Sequence, residues 1–372
     1  MISFQGNELI QDIISLYRIH LNTMLFPTIP KNIIGNDINI VIRNLIYEIK
    51  KNGIIYESSK CSMNHGKKIQ EIWNTTLCLS EPRNRIFKSA LEIFNPGHAV
   101  ARFLYLLSGS DLLEPIEFYA KSVRSFSDDG KTIPGSSYGA RIFSTSLEKN
   151  QFEIAAQTIM NRQDTKRALI TIYNADDLGR SQHSKDIPCA ANIVFMPRNN
   201  VLHMTVSMRA NDAIKLLPYN IFEFSLLQEC MAVRTGMDLG TYWHTAVSMH
   251  IRGEHITLAP KLIQETTTSC GMQKIKEFSE TTRLQILQEE LYIKNMYPYS
   301  THNTFTYIYS LWEKYPAVWA DILSTLVCEA FRIHSTDPLE CLQKEIKKIL
   351  TEYKKEGVLL NAYFDFLSHQ KK

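Results

Sequence analysis

The sequence predicts an α+β fold, because helical patterns lie towards both ends of the chain and strand-like runs lie between them. Apolar residues recur with a helical period over 37–51, with Gly53 as a stop, and again over 315–334 and 338–353. The middle of the chain instead contains short runs of apolar and β-branched residues, which favour strands. We therefore expect a mixed sheet with packed helices, extended by helical segments on the N- and C-terminal sides.

Three runs in the middle of the chain predict neighbouring strands. Residues 168–173 are almost continuously apolar and β-branched, and residues 192–196 and 201–208 have a similar composition. The Arg-Asn-Asn sequence between the last two runs is typical of a hairpin turn. The long apolar segment 218–235 then predicts a buried helix.

These patterns divide the chain into three zones. Residues 1–80 are predicted to form a mostly helical N-terminal extension, residues 81–265 a mixed core, and residues 266–372 a helical C-terminal extension. No internal repeat and no low-complexity linker separates the zones.

The composition excludes several classes of protein. Of the 372 residues, 44% are hydrophobic and 21% are charged, which is typical of globular chains and not of disordered ones. The 41 basic and 38 acidic residues give a net charge of +3, which is too small to predict a nucleic-acid partner. We therefore expect any phosphate group to be held by a few placed cations rather than by a basic face.

The compartment is predicted from what the sequence lacks. No basic segment followed by an apolar one opens the chain, which argues against a secretory signal, and no run approaches the ~18–20 apolar residues that cross a bilayer. Seven cysteines, an odd number without a C-x-x-C pair, predict neither a disulfide framework nor a metal site. We expect a cytoplasmic protein with reduced thiols and no membrane partner.

One of these cysteines lies in a distinctive setting. Cys189 follows Pro188 at the start of a predicted strand, and on its own such a thiol is usually a buried core residue. The segments that accompany it are Gln-Asp-Thr-Lys-Arg at 163–167, Ser-Met-Arg-Ala-Asn-Asp at 207–212, Leu-Pro-Tyr-Asn at 217–220 and Met-His-Ile-Arg at 249–252. This ordered series, within about residues 83–258, resembles the thymidylate synthase superfamily, which includes thymidylate synthases and pyrimidine nucleotide hydroxymethylases.

The resemblance implies a thymidylate synthase-like fold and a covalent mechanism. Cys189 is then the nucleophile that adds to C6 of a pyrimidine nucleoside monophosphate, and C5 attacks the methylene group of 5,10-methylenetetrahydrofolate. Arg209 is implied to hold the 5′-phosphate and to lower the pKa of the thiol by its charge. Tyr138 belongs to a Tyr-Gly element that the family places beside the active site.

Further residues are implied to bind the nucleotide and the folate. Asn220 matches the amide that reads the N3/O4 edge of the base, where Asn is typical of uracil substrates. Asp212 matches the residue that contacts the pterin of the folate, and His250 matches a contact to the sugar. Ala210 and Arg252 stand at positions where the family contacts the phosphate and the sugar.

Three other basic residues are implied to reach a phosphate. Lys166 and Arg167 match a pair that, in the family, crosses the interface of a homodimer to the partner's active site. Arg85 matches the phosphate-binding arginine of an N-terminal loop. The resemblance therefore implies a homodimer with shared active sites.

The sequence departs from thymidylate synthases at several positions. Ala190 follows the nucleophile where His is usual, Ala210 replaces a phosphate-binding Ser, and Arg252 replaces a sugar-contacting Tyr. Arg102 stands where the family has an acidic residue that organises proton transfer. These changes point away from an ordinary thymidylate synthase.

The departures favour water over hydride as the final nucleophile. The family's shielding tryptophan has no counterpart, so only Phe118, Tyr119 or Phe126 could cover the folate-bound intermediate. The changes at Ala210 and Arg252 could accommodate a ribose 2′-OH. We therefore expect hydroxymethylation of C5 with CMP as the preferred substrate. A divergent thymidylate synthase acting on dUMP and a nucleotide-binding scaffold without activity are the alternatives.

Overall fold

The computed structural model describes residues 31–58, 67–143, 150–296, 298–352 and 357–369. The first thirty residues of the predicted N-terminal extension therefore lie outside the description. Within the described ranges, none of the helices is both long and apolar enough to cross a bilayer.

Within the described residues, a mixed sheet of seven strands lies at the centre of the molecule. The strands are β1 Asn32–Gly35, β2 Ile54–Glu57, β3 Lys68–Leu79, β4 Leu169–Thr171, β5 Ala190–Arg198, β6 Val201–Asp212 and β7 Asp238–Arg252. Their order across the sheet is β1-β3-β7-β6-β5-β4, with β2 paired to the start of β3. β1 is parallel to β3 and β6 to β7, whereas the other neighbours are antiparallel.

The described helices fall into two groups along the chain. The first group comprises α1 Ile38–Asn52, α2 Pro96–Ser108, α3 Glu114–Glu117, α4 Tyr138–Ile142, α5 Gln151–Asn161, α6 Ala175–Arg180, α7 Leu217–Arg234 and α8 His255–Gln264, with a 3₁₀ helix at Lys121–Phe126. The second group comprises α9 Glu280–Asn295, α10 Thr301–Lys314, α11 Ala317–His334, α12 Leu339–Glu352 and α13 Val358–His369. The α+β class and the mixed sheet predicted from the sequence are confirmed.

The predicted hairpin and the predicted buried helix are both present. Asn199 and Asn200 have φ values of 50° and 61°, the left-handed conformation that a tight hairpin turn requires and that Asn tolerates. α7 then carries the chain back so that β7 runs parallel to β6. Of the 18 residues of α7 all but three are buried, which explains why apolar residues occur on every side of this helix.

The described part of the first zone differs from the prediction, because it is not mostly helical. The helix expected over 37–51 is present as α1, and the Asp37 side chain caps it by accepting a hydrogen bond from Asn39 N at 2.7 Å. However, β1 and β3 belong to the central sheet, where β3 pairs with β7. The sequence does not indicate β3, because the strand buries Gln70 and Glu71, which find their hydrogen-bond partners on α1 and β7. The zone limits at 80 and 265 stay predictions.

The C-terminal helices meet the rest of the molecule in a close approach at the start of α2. A Cβ atom at Gly97 would lie 2.7 Å from Cβ of Glu329 on α11 and 2.9 Å from the ring of Tyr363 on α13, so only glycine fits there. Buried Glu329 accepts hydrogen bonds from Asn95 at 2.9 Å and from Tyr363 at 2.8 Å. α11 and α13 therefore pack directly on α2.

A buried carboxylate fixes the last described helix. Asp321 of α11 is 2% exposed and accepts hydrogen bonds from Leu359 N at 2.8 Å and Leu360 N at 2.9 Å, in the first turn of α13. Burial raises the pKa of Asp321 from 3.8 to about 7, although these hydrogen bonds act in the opposite direction. Between the pKa of 3.8 in the unfolded chain and the pKa of about 7 in the folded protein, the folded protein keeps a proton that the unfolded chain releases. The resulting stabilisation is complete below about pH 4 and is lost as the pH rises through about 7.

We predict that Asp321→Asn removes this pH dependence. The variant is neutral at every pH and similar in size, so the wild type should lose about 2 to 3 kcal/mol of unfolding free energy relative to the variant between about pH 5 and pH 8. Urea denaturation at the two pH values measures the difference. Asp337→Asn is the control, because Asp337 accepts a hydrogen bond from Thr301 N at the start of α10 and this bond lowers its pKa. The same pH dependence for both variants contradicts the assignment.

Candidate active site

The register of the β5–β6 hairpin brings Cys189 and Arg209 together. Ala190 at the start of β5 pairs with Met208 near the end of β6. One residue further along, the Arg209 backbone N donates a hydrogen bond to the Cys189 carbonyl oxygen at 2.8 Å. Two residues that are far apart in sequence are therefore adjacent at the same end of the sheet.

The Arg209 side chain is also held against the loop that carries the thiol. Its Nε donates to the Pro188 carbonyl oxygen at 2.8 Å, and its Nη2 donates to the Ile187 carbonyl oxygen at 3.1 Å. The residue nevertheless remains exposed. A phosphate group that approaches this end of the sheet therefore meets a cation that is already oriented.

The surroundings of Cys189 act on its pKa in opposite directions. The residue is half-buried against the core, and burial raises the pKa of the thiol. The positive charges of Arg209 and Arg252 lower that pKa, whereas the carboxylate of Asp186 raises it. Burial dominates, so the free thiol is mostly protonated at neutral pH.

Tyr138 lies against the first residue of β5. Ala190 N donates a hydrogen bond to the Tyr138 hydroxyl oxygen at 3.4 Å, and the tyrosine ring stacks on Phe224 of α7 with 5.8 Å between centroids. Burial raises the pKa of the Tyr138 hydroxyl, and the negative charges of Cys189 and Glu223 raise it further. The phenol therefore keeps its proton and can donate a hydrogen bond beside the thiol.

Three polar side chains meet where α2 packs against α7. Asn220, in the first turn of α7, donates from Nδ2 to Oε1 of Glu223 at 2.8 Å, and Arg102 of α2 donates from Nη2 to the same oxygen at 2.8 Å. The carboxylate therefore orients the amide that is predicted to read the base. Glu223 is not among the residues predicted from the sequence, and its only sequence signal is an acidic residue within the apolar run 221–227.

The pairing of β6 with β7 gathers Asp212, His250 and Arg252. Asp212 lies opposite His250 in the register, and Arg252 Nε donates to Asp212 Oδ2 at 2.7 Å. Oδ1 of Asp212 accepts hydrogen bonds from the backbone N atoms of Ile214 and Lys215. Asp212 therefore fixes both this turn and the position of Arg252. Burial lowers the pKa of His250, which keeps its imidazole neutral at pH 7.

The basic pair predicted to reach a partner's phosphate lies far from Cys189 of its own chain. Ala210 is half-buried beside Arg209, at the same end of the sheet as Cys189. Lys166 and Arg167, in contrast, are exposed on the loop before β4. Ala168, which follows Arg167, accepts a hydrogen bond from Phe195 N of β5. The basic pair therefore flanks the far part of β5, roughly 20 Å from Cys189 at the usual rise of a strand.

Arg85 does not lie at a surface that a phosphate can reach. Its side chain is fully buried, and its Nη2 donates to Oε2 of Glu229 on α7. Oε1 of Glu229 accepts from Arg83 at 2.7 Å and from Ile275 N at 3.1 Å. In this structure the predicted phosphate contact of Arg85 is therefore replaced by a core ion pair, because a buried and paired guanidinium is not available to a ligand.

Comparison with known proteins relates the chain to enzymes of one kind. A family model described as thymidylate synthase matches residues 40–308. The deoxyuridylate hydroxymethyltransferase of Pseudomonas phage M6 is 33% identical over 179 residues, which cover 47% of this chain and 50% of that protein. The deoxyuridylate hydroxymethyltransferase of Bacillus phage SP01 is 29% identical over 196 residues, which cover 50% and 51%. The chain therefore spans about half the length of these curated relatives.

A solved structure shares the fold. The thermostable thymidylate synthase A from Bacillus subtilis matches with a TM-score of 0.53 and 18% identity, over 66% of this chain and 91% of that chain. At this identity the match shows the fold alone. The thymidylate synthase-like fold predicted from the sequence is confirmed.

We predict that the reactivity of Cys189 follows the two nearby charges of opposite sign. Arg209→Gln should raise the thiol pKa and slow alkylation by iodoacetamide about two- to tenfold near pH 8, whereas Asp186→Asn should accelerate it. Peptide-resolved mass spectrometry separates Cys189 from the exposed Cys270 and Cys341. Equal alkylation rates in the two variants rule out this electrostatic control.

Proposed function

This chain belongs to the thymidylate synthase family, and we propose that it transfers a one-carbon unit from 5,10-methylenetetrahydrofolate to C5 of a pyrimidine nucleoside monophosphate. The observation that carries the proposal is the β5–β6 pairing, which holds the Cys189 thiol beside the Arg209 guanidinium. A nucleoside monophosphate offers an electrophilic ring carbon to a thiol and a dianionic phosphate to a guanidinium.

Covalent addition solves the main difficulty of such a reaction. C5 of a pyrimidine is a weak nucleophile until the Cys189 sulfur adds to C6 and shifts electron density towards C5. Tyr138 and Asn220 can donate hydrogen bonds to the ring during this step. Asp212 is proposed to accept a hydrogen bond from the pterin through Oδ2, which accepts from Arg252 and keeps a second lone pair, whereas Oδ1 already accepts from two backbone N atoms.

We propose that water rather than hydride completes the reaction, which gives a 5-hydroxymethyl product. Two aromatic residues that the sequence offers as a shield for the intermediate are engaged elsewhere. Phe118 packs on His334 of α11 with 4.1 Å between centroids, and Tyr119 is buried in the core. Both phage relatives are named hydroxymethyltransferases, which supports the same product.

Deoxyuridylate is the substrate that we propose first. The Nδ2 bond of Asn220 to Glu223 leaves the amide Oδ1 to accept a hydrogen bond from N3–H of uracil. Both phage relatives are also named for deoxyuridylate. CMP, the substrate expected from the sequence, is the second candidate. CMP is favoured by Arg252, which stands at the sugar-contacting position and could accommodate a ribose 2′-OH. The positive charge of Arg252 lowers the pKa of the Cys189 thiol, which supports a position close to the reacting ring.

Release of the C5 hydrogen tests the activity and the substrate together. Wild-type protein with methylenetetrahydrofolate should release tritium from 5-tritiated dUMP faster than from CMP, dCMP or UMP, and product mass should show one added CH2O unit. Cys189→Ala should reduce release by at least about 100-fold. Dihydrofolate formed together with dTMP supports the divergent thymidylate synthase instead. Absence of hydrogen exchange with all four nucleotides supports the scaffold without activity.

We propose that two copies of the chain pair through the open face of the sheet. Residues half-exposed on that face include the cross-strand neighbours Val194, Thr205 and Trp243, while the residues that alternate with them are buried. A groove opens beside it at Arg209 and is also lined by Thr171. A second copy seated there covers the face and can bring its own basic side chains to the phosphate site.

Mixing two impaired variants tests whether the active sites are shared. Cys189→Ala lacks the nucleophile, and the double variant Lys166→Ala/Arg167→Ala lacks the basic pair proposed to act on the other copy. Half of the randomly mixed dimers contain one complete site of two, so activity should return to about a quarter of the wild-type rate. A monomer in sedimentation, or no gain of activity on mixing, contradicts the shared site.

A further inference from the structure

A half-buried guanidinium and a buried carboxylate face each other between α2 and α7. Arg102 stands on α2 at the position where the resemblance to the thymidylate synthase superfamily implies an acidic residue. Glu223 faces it from α7, and the Arg102 Nη2 atom donates to Glu223 Oε1 at 2.8 Å. The carboxylate that α2 lacks is therefore present on the neighbouring helix.

Glu223 is surrounded by the groups proposed to act on the base. It is 3% exposed, and its Oε1 also accepts from Asn220 Nδ2 at 2.8 Å. Burial raises the pKa values of Tyr138 on α4 and Tyr242 on β7, and the negative charge of Glu223 raises both further, as that of Cys189 also does for Tyr138. Throughout the described part of the chain, no group donates a hydrogen bond to Oε2 of Glu223. That oxygen remains for a substrate atom or a water molecule.

A second buried glutamate on the same helix provides a structural comparison. Glu229 is 1% exposed, and each of its oxygens is bonded, one to Arg83 and Ile275 N and the other to Arg85. Both of its oxygens are therefore engaged within the core. Glu223 differs because it uses one oxygen for both of its partners and lies one helical turn from Asn220.

We propose that Glu223 is the proton-transferring carboxylate of this active site and that Arg102 is its positioning residue. The inference rests on the proposed function, because it requires a pyrimidine whose C4 edge is held by Asn220. Arg102 supplies the compensating charge that a carboxylate needs in a buried position, and its bond fixes the orientation of the carboxylate.

Addition of the thiol to the ring is the step that uses this carboxylate. As the Sγ–C6 bond forms, the S–H bond breaks, and the C5=C6 electron pair forms a C4=C5 double bond with negative charge on the C4 oxygen. The thiol proton must reach that oxygen. Oε2 of Glu223 takes up the proton and passes it to the C4 oxygen, and the proton returns to Glu223 when C5 attacks the methylene group and the C4=O bond forms again.

Glu223→Gln tests the inference, because glutamine can still accept hydrogen bonds from Arg102 and Asn220 but cannot carry the proton. Exchange of the nucleotide C5 hydrogen should fall about 10²- to 10⁴-fold, while the nucleotide dissociation constant from calorimetry changes less than about threefold. Formate added to Glu223→Ala should restore part of the exchange, because a small carboxylate can occupy the space left by the side chain.

Glu229→Gln is the matched control, since it also neutralises a buried glutamate of α7. It should lower the melting temperature without separating exchange from nucleotide binding. Wild-type exchange in Glu223→Gln, or a parallel loss of exchange and binding, overturns the role of Glu223 but leaves the proposed function intact. If the wild type itself exchanges no pyrimidine nucleotide, the proposed function fails.

A second variant keeps the inference testable if Glu223→Gln does not fold. Arg102→Lys retains the positive charge but loses the planar geometry that orients the carboxylate. Exchange should then fall more than nucleotide binding does. Equal losses of both quantities assign Arg102 and Glu223 a structural role and reject the proposal.

Discussion

The pairing of β5 with β6 is the constraint on which the rest of the active site depends. It holds the Cys189 carbonyl and the Arg209 backbone together, and it lets the Arg209 side chain bond to the loop that carries the thiol. The tight turn at Asn199 and Asn200 sets the register as far as the Asn192–Ser207 pair, and a bulge between Ala190 and Asn192 then shifts the pairing by one residue. A slip of one residue in a strand moves every side chain to the opposite face, so the turn and the bulge together determine which side chains meet at the far end of the hairpin.

Behind this hairpin, the contact between α2 and α7 carries buried charge that is tolerated because each group has a partner. Glu223 bonds to Arg102 and orients the start of α7. The C-terminal helices support the same contact, because Glu329 of α11 bonds to Asn95, whose side chain caps α2 and whose backbone N donates to the Tyr219 hydroxyl at 3.0 Å. Residues beyond the sheet are therefore linked by hydrogen bonds to the helix that carries Asn220.

Prediction from sequence succeeded for elements with strong local patterns. The hairpin, α1, α7 and the helices near the C terminus follow apolar periodicity and turn chemistry, both of which are properties of neighbouring residues. It failed for β3, which buries Gln70 and Glu71 against partners far away in the sequence. A strand of this kind looks too polar to be central until the helix and the strand that satisfy its side chains are in place.

For the site, the sequence by itself determined which candidate groups exist, because the ordered motifs around Cys189, Arg209 and Asn220 supply a thiol, a cation and an amide. Only the tertiary structure decided which cation is available and where the buried carboxylate lies. Arg85 matched a phosphate-binding position in the sequence, but in the structure it is paired with Glu229 in the core. Glu223 matched no functional position in the sequence, yet it forms an ion pair with Arg102. The type of a side chain follows directly from the sequence. Its partner and its burial depend on contacts between residues far apart in the chain, and these contacts determine its chemistry.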